Sequence, residues 1–168
     1  MIKLEKPDID VESIITDCTA NLTKQPILTH INASKTTIVS KSEKYNELAE
    51  KGQLGTLETH TMIEGGATKD DMVWLYDNKF VADGGRKYYD KIKAIPKYSK
   101  CPFCGVGIVS TLDHYLPKTK YPTYALTPVN LIACCADCNK NKKSEISETR
   151  NNEFIHPYYD DFNDEVRS

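Results

Sequence analysis

Two pairs of cysteines with identical spacing constrain the fold of this chain more than any other feature. Cys101 and Cys104 lie in "CPFCG", and Cys135 and Cys138 lie in "CCADCNKNK", thirty residues further on. A gap of two residues lets one tight turn direct both sulfurs at a single ion, and tetrahedral Zn²⁺ accepts four thiolates. The sequence therefore predicts a structural zinc ion that joins these two segments. Four buried or redox-active thiols would not explain why both pairs have the same gap.

The two remaining cysteines are predicted to pack rather than to bind metal. Cys134 paired with Cys138 would leave a less usual gap of three residues, so Cys135 is taken as the ligand. Cys18 shares an apolar stripe at helical spacing with Val11, Ile14, Ile15 and Leu22. We expect it to lie in the core of the protein.

Charge and hydropathy limit the classes of partner. The 168 residues include 22 basic and 24 acidic side chains, which gives a formal net charge of -2. Any basic surface that binds nucleic acid must therefore be local or belong to another subunit. No stretch approaches the roughly eighteen apolar residues of a membrane span, and the first residues lack the apolar core of a signal peptide. The sequence predicts a cytoplasmic protein without a membrane partner, in which reduced thiols favour metal binding over disulfides.

The first 97 residues are predicted to be mainly helical. One helix is expected from about residue 11 to 23, and a second in "SKSEKYNELAEKG", where Ser40 and Glu43 form a candidate capping box and Gly52 a stop. Between these two helices, "THINASKTTIVS" is β-prone or a loop and is left unassigned. Two further helices are expected in "TKDDMVWLYDNKFV", with Thr68 at its start, and in "GGRKYYDKIKAIP".

Beyond residue 98 the pattern changes to short strands and turns. "VGIVSTLDHYLP" predicts a strand with Ile108, Val109 and Leu112 as its apolar residues, and the loop "KTKYPTYALTP" leads to a second strand in "VNLIACC". A helix is expected to start near Ala136. The fold class is thus predicted to be α+β. The chain is predicted to consist of a mainly helical region (1–97), a ββα unit joined by a zinc site (98–150), and a segment packed on that unit (151–168).

The motifs "CPFCG", "LDHYLPK" and "PVNLIACCADCNKNK" together resemble the HNH endonucleases, which are ββα-metal nucleases, here with an added four-cysteine zinc knuckle. The resemblance covers about residues 98–150 and presents the motif elements in the family's order. It implies that His114 is the general base, that Asp113 and Asn139 bind a catalytic Mg²⁺ or Mn²⁺, and that Asn130 orients His114. Asn139 stands where many members carry a histidine, and an oxygen-rich ligand set favours these two ions.

The same resemblance suggests residues that would contact substrate. Lysines near the expected site are candidates for the nucleic-acid backbone, although a solvated helix face would look the same; they are Lys118, Lys140 and Lys142, with Lys120 and Lys143 extending the surface. Tyr121 and Tyr124 are candidates for loop packing or for base stacking. His156, in "NNEFIHPYYDDF", belongs either to a packing segment or to the catalytic groups.

The helical leader, with "LYDNKF" and "GGRKYYD" running directly into "CPFCG", resembles the HNH subunits of anti-phage systems of the Septu type. That resemblance implies a DNA nuclease whose residues 1–97 dock an ATPase subunit of the SMC-like or ABC class. Two alternatives remain open. They are a catalytically silent zinc-ribbon module that binds nucleic acid, and a scaffold subunit. DNA and RNA are both possible substrates, and the chain is expected to be shorter at its C-terminus than a longer relative.

Overall fold

The structure is a computed structural model that describes residues 2–145 and 155–161, with backbone only for 142–145. It confirms an α+β fold with a helical N-terminal region, a small antiparallel sheet and a cluster of four cysteines. The elements of the described part are α1 (Val11–Thr19), α2 (Ile27–Glu50), α3 (Lys69–Leu75), α4 (Arg86–Lys93), β1 (Thr111–His114), β2 (Leu131–Cys134) and α5 (Ala136–Glu145).

Helix α1 starts where the apolar stripe predicted it and ends at Thr19, earlier than the predicted end near residue 23. The Asp10 side chain caps the helix by accepting a hydrogen bond from the backbone N–H of Ser13 at 2.8 Å. Cys18 is 1 % exposed and lies in the core, as predicted. Burial raises the pKa of its thiol to about 12, which keeps it protonated at neutral pH.

Helix α2 is much longer than the sequence predicted. The helix start placed at Ser40 is wrong, because α2 begins at Ile27 and includes the unassigned stretch "THINASKTTIVS". Its buried residues recur at helical spacing and are Ile27, Ile31, Ser34, Ile38, Ser42, Tyr45 and Ala49. Two serines interrupt the apolar pattern, and each has a partner: Ser34 Oγ accepts from the N–H of Ala67, and Ser42 Oγ lies 2.6 Å from Thr127 Oγ1. The predicted stop is confirmed, since Gly52 follows with a φ of +65°.

Helix α3 starts at Thr68, as predicted, and its start forms a capping box. Thr68 accepts from the backbone N–H of Asp71, and the Asp71 carboxylate accepts from the backbone N–H of Thr68. The helix continues into a π-helical turn, Tyr76–Phe80, which buries both aromatic rings. Tyr76, at the start of this turn, lies beside His114 at the end of β1.

Strands β1 and β2 pair antiparallel, with Thr111 opposite Cys134 and His114 opposite Leu131. The first strand is shorter than predicted, because Ile108 is 65 % exposed and instead forms an isolated bridge with Lys100. Helix α4 packs on both strands. One hydrophobic core joins the helices and the sheet, and it includes Ile14, Ile31, Met72, Leu112, Leu126 and Leu131.

The helical region and the sheet therefore bury their apolar surfaces against each other. The division at residues 97 and 150 stays a prediction. Within the described part of the chain, no helix combines the length and the apolar character that crossing a membrane requires.

Candidate metal and catalytic site

The four predicted zinc ligands converge. The Sγ atoms of Cys101, Cys104, Cys135 and Cys138 all lie within 4.8 Å of one another, and those of Cys104 and Cys135 are 3.9 Å apart. A tetrahedral ion with Zn–S bonds of about 2.3 Å separates its sulfurs by roughly 3.8 Å. The cluster is therefore consistent with a structural zinc site that ties the segment before β1 to the start of α5.

Tight turns direct these sulfurs, as the spacing predicted. Gly105 follows the first pair with a φ of +71°, a conformation that glycine adopts readily. The backbone N–H of Gly107 donates to Cys104 Sγ at 3.2 Å, and that of Cys138 donates to Cys135 Sγ at 3.4 Å. The donation from Gly107, aided by Val106, lowers the pKa of Cys104 to about 6. At Cys104 this donation favours the thiolate form that binds metal.

Cys134, predicted to pack, lies outside the ligand cluster. It is fully buried at the end of β2 and contacts Cys101 and Cys135 in a small sulfur-rich part of the core.

His114 ends β1 in a defined orientation. Its ring is 7 % exposed, and the Nε2 atom lies 2.9 Å from the carbonyl oxygen of Ala125. A carbonyl only accepts, so Nε2 carries a proton, and in the neutral ring the acceptor nitrogen is Nδ1. The ring of Tyr76 meets that of His114 edge-on, with centroids 4.5 Å apart. The tautomer of His114 thus follows from the fold.

Asn130 holds the loop that follows His114. Its side chain is fully buried and makes four hydrogen bonds. Oδ1 accepts from the N–H of Leu116 at 2.8 Å and from the hydroxyl of Tyr45 at 2.9 Å. Nδ2 donates to the carbonyls of Leu116 at 3.0 Å and of Tyr124 at 3.1 Å. Asn130 therefore bonds the loop that follows His114 at two places, Leu116 and Tyr124, without touching the imidazole through these bonds.

The two predicted ligands of a catalytic ion lie on neighbouring elements. Asp113 precedes His114 on β1, faces Ile132 of β2 in the strand register, and is 7 % exposed. Asn139 lies in the first turn of α5, where its backbone N–H donates to the carbonyl of Cys135, and α5 packs beside β1. The Oδ1 atom of Asn139 is buried and has no hydrogen-bond partner among the described residues. Such an oxygen suits a metal ligand, because a buried acceptor without a donor is costly.

The lysines predicted to contact substrate differ in their surroundings. Lys118 is half-buried, with Nζ 5.0 Å from the centroid of the Tyr76 ring, whereas Lys120 and Lys140 are exposed. The side chains of Lys142 and Lys143 lie outside the described residues. Their contacts with nucleic acid stay predictions.

The candidate aromatic residues pack within the protein. Tyr124 is buried against Tyr45, with ring centroids 5.4 Å apart. Tyr121 is half-buried and meets the ring of His60 edge-on. His156 is 3 % exposed and lies among tyrosine rings. These positions match the packing interpretation in each case.

Two residues near the site were not predicted from the sequence. Tyr45 contacts Asn130 from α2, and Tyr76 contacts His114 from the π-helical turn. A buried tyrosine hydroxyl needs a polar partner, so a tyrosine on the apolar stripe of a helix is a usable signal for such a contact.

The chain is similar to protein ea31 of Escherichia phage lambda, with 31 % identity over 170 residues. The match covers 95 % of this chain and 57 % of ea31, so the chain spans a little over half the length of that relative. No protein-family model matches the chain, and no solved structure matches it. The similarity to ea31 necessarily includes most of the helical region as well as the cysteine cluster.

Proposed function

We propose that the chain is a metal-dependent endonuclease of the HNH type that hydrolyses phosphodiester bonds. The observation that supports this most strongly is the fixed tautomer of His114, whose Nε2 is hydrogen-bonded to the carbonyl of Ala125. This leaves Nδ1 as the basic nitrogen of a neutral imidazole. A histidine held in that way is suited to act as a general base.

In the proposed mechanism, His114 Nδ1 removes a proton from the attacking water. Asn130 maintains the loop geometry around His114 through its bonds to Leu116 and Tyr124. Asp113 and Asn139 would hold a Mg²⁺ or Mn²⁺ ion through side-chain oxygens, which are the ligands that these ions prefer. When bound, such an ion neutralises charge on the scissile phosphate and on the leaving oxygen.

The proposed substrate is DNA, and the exposed Lys140 together with Lys118 would contact its backbone. The zinc site would take no part in the chemical step, because four thiolates fill the coordination sphere of a tetrahedral ion and leave no open position.

We also propose that residues 1–97 dock an ATPase of the SMC-like or ABC class in an anti-phage complex. That proposal is supported by the resemblance of the leader to Septu-type subunits. Co-expression with such an ATPase, followed by size-exclusion chromatography, tests it, and separate elution of the two proteins would refute it.

The nuclease proposal is tested by plasmid cleavage with Mg²⁺ or Mn²⁺. The wild type is compared with His114→Ala. His30→Ala serves as the control, because His30 lies on α2 and pairs with Asp71 of α3. We expect the wild type and the control to nick or cut the plasmid, and His114→Ala to lose at least about 100-fold of the rate. EDTA should abolish cleavage in all three proteins.

The same assay distinguishes the alternatives. Cleavage by His114→Ala at the wild-type rate would refute the role of His114. A wild type that binds DNA but cleaves neither DNA nor RNA, with or without the ATPase, would support the silent zinc-ribbon module instead. Single-stranded and RNA substrates are included because an exposed ββα unit contacts backbone more than bases.

A further inference from the structure

Helix α2 contacts the side chain of Asn130 through Tyr45, and the segment 155–161 contacts Tyr45 through His156. The hydroxyl of Tyr45 donates to Asn130 Oδ1 at 2.9 Å, beside the N–H of Leu116, which donates to the same oxygen at 2.8 Å. Tyr45 is fully buried. A residue of the helical region thus completes the hydrogen bonding of a residue near His114.

His156 extends this chain of hydrogen bonds. Its Nε2 lies 3.0 Å from the hydroxyl oxygen of Tyr45. The single proton of Tyr45 is donated to Asn130, so the bond to His156 requires His156 Nε2 to be the donor. The backbone N–H of Tyr158 points at Nδ1 of the same ring, 3.4 Å away, which agrees with that tautomer. The backbone N–H of His156 donates in turn to Asp160 at 2.6 Å.

The surroundings of Tyr45 and His156 fix the direction of this chain. Burial raises the pKa of Tyr45 well above its usual value, so the phenol keeps the proton that it donates to Asn130. The His156 ring packs against those of Tyr115 and Tyr159, with centroid distances of 4.2 and 4.7 Å. Tyr115 is the neighbour of His114 in sequence, and its N–H donates to the carbonyl of Asn130.

We propose that Tyr45 and His156 are positioning residues. Through Asn130, they fix the loop that follows His114 and thereby position the His114 side chain. The inference rests on the proposed nuclease function for its kinetic readout. The structural part of the proposal does not depend on that function: α2 and the segment 155–161 hold the loop after β1 in place. Neither residue touches substrate in this scheme. The helical region and the C-terminal segment are then parts of the site rather than attachments to it.

The test compares conservative substitutions within one cluster of rings. Tyr45→Phe removes the hydroxyl that bonds Asn130 and keeps the ring. Tyr159→Phe is the matched control, because its hydroxyl bonds Asn46 instead, at 2.6 Å. His156→Phe keeps a ring without nitrogens, and His156→Gln restores an N–H donor at a similar distance from the backbone. Cleavage kinetics and hydrogen exchange at the Leu116 amide are measured for all four variants.

We expect Tyr45→Phe and His156→Phe to lower kcat about 10-fold or more with KM within about 2-fold, as for residues that orient catalytic groups. The Leu116 amide should exchange faster in both, while amides of α1 keep their wild-type protection. Tyr159→Phe should match the wild type in both measurements. His156→Gln should recover most of the loss seen in His156→Phe, which a purely structural role of the ring would not predict.

The outcomes separate this inference from the proposed function. Wild-type kcat and unchanged Leu116 exchange in Tyr45→Phe would overturn the positioning role while the nuclease stands. If the wild type cleaves nothing, the nuclease proposal fails, and Leu116 exchange still decides whether Tyr45 and His156 hold Asn130. Equal losses in Tyr45→Phe and Tyr159→Phe would show general loosening of the cluster and would also overturn the inference.

Discussion

Replacing Asn130 by alanine should be among the most destabilising single changes in this protein. The amide makes four hydrogen bonds of 2.8 to 3.1 Å, two as acceptor and two as donor, from a fully buried position. Alanine would leave the hydroxyl of Tyr45 and the carbonyl of Tyr124 without these partners in the interior. The main-chain groups of Leu116 would lose theirs in a half-buried position.

The expected loss follows from these contacts. A net contribution of about 1 kcal/mol for each hydrogen bond gives about 4 kcal/mol, and water at the half-buried Leu116 reduces the loss to about 3 kcal/mol. Domains are usually stable by only about 5–15 kcal/mol, so a loss of about 3 kcal/mol should leave between about two fifths and four fifths of the free energy of unfolding. The free energy of unfolding is measured by urea denaturation of the zinc-loaded protein, followed by circular dichroism. With a slope of about 1.5 kcal/mol per molar urea, the midpoint should fall by about 2 M.

Asn78→Ala is the matched control for this measurement. Asn78 is exposed, and its amide makes one hydrogen bond, to the carbonyl of Trp74 at 3.0 Å. We expect its unfolding free energy to stay within about 0.5 kcal/mol of the wild type. A loss below about 1 kcal/mol for Asn130→Ala, or a loss equal to that of the control, would show that the four bonds do not hold this loop.

Three further predictions concern the zinc site and the backbone. Cys134→Ala should retain one zinc ion per chain by elemental analysis, whereas Cys135→Ala should lose it and unfold the end of the chain; the opposite result would reverse the ligand assignment. Gly65→Ala should cost more than about 2 kcal/mol in urea, because its φ is +105° and a Cβ would lie 2.3 Å from a backbone oxygen of α2. Gly52→Ala, with a φ of +65° and open space, should cost only about 1 kcal/mol, and equal losses would contradict this account. Thr68→Ala should cost about 1 kcal/mol through loss of the capping box, and an unchanged melting curve would refute it.

The features that the sequence predicted correctly depend on neighbours in the chain. Capping at Thr68 and the stop at Gly52 are local, since each requires only the residues of one turn. The start of α2 was missed for the opposite reason. Ser34 and Ser42 occupy core positions because Ala67 and Thr127, 33 and 85 residues away, supply their hydrogen bonds. A pattern of apolar residues alone does not reveal hydrogen-bond partners that lie far away in the sequence.

The sequence by itself determined the α+β class and the four cysteines of the metal cluster, because two equal gaps specify two turns that can share one ion. It also singled out His114 and Asn130 as candidate site residues. Only the tertiary structure decided which groups surround them. Tyr76 reaches His114 from a π-helical turn, and Tyr45 reaches Asn130 across 85 residues of chain. Contacts of this kind arise when distant elements bury their surfaces in one core, and burial makes each polar group there depend on a specific partner.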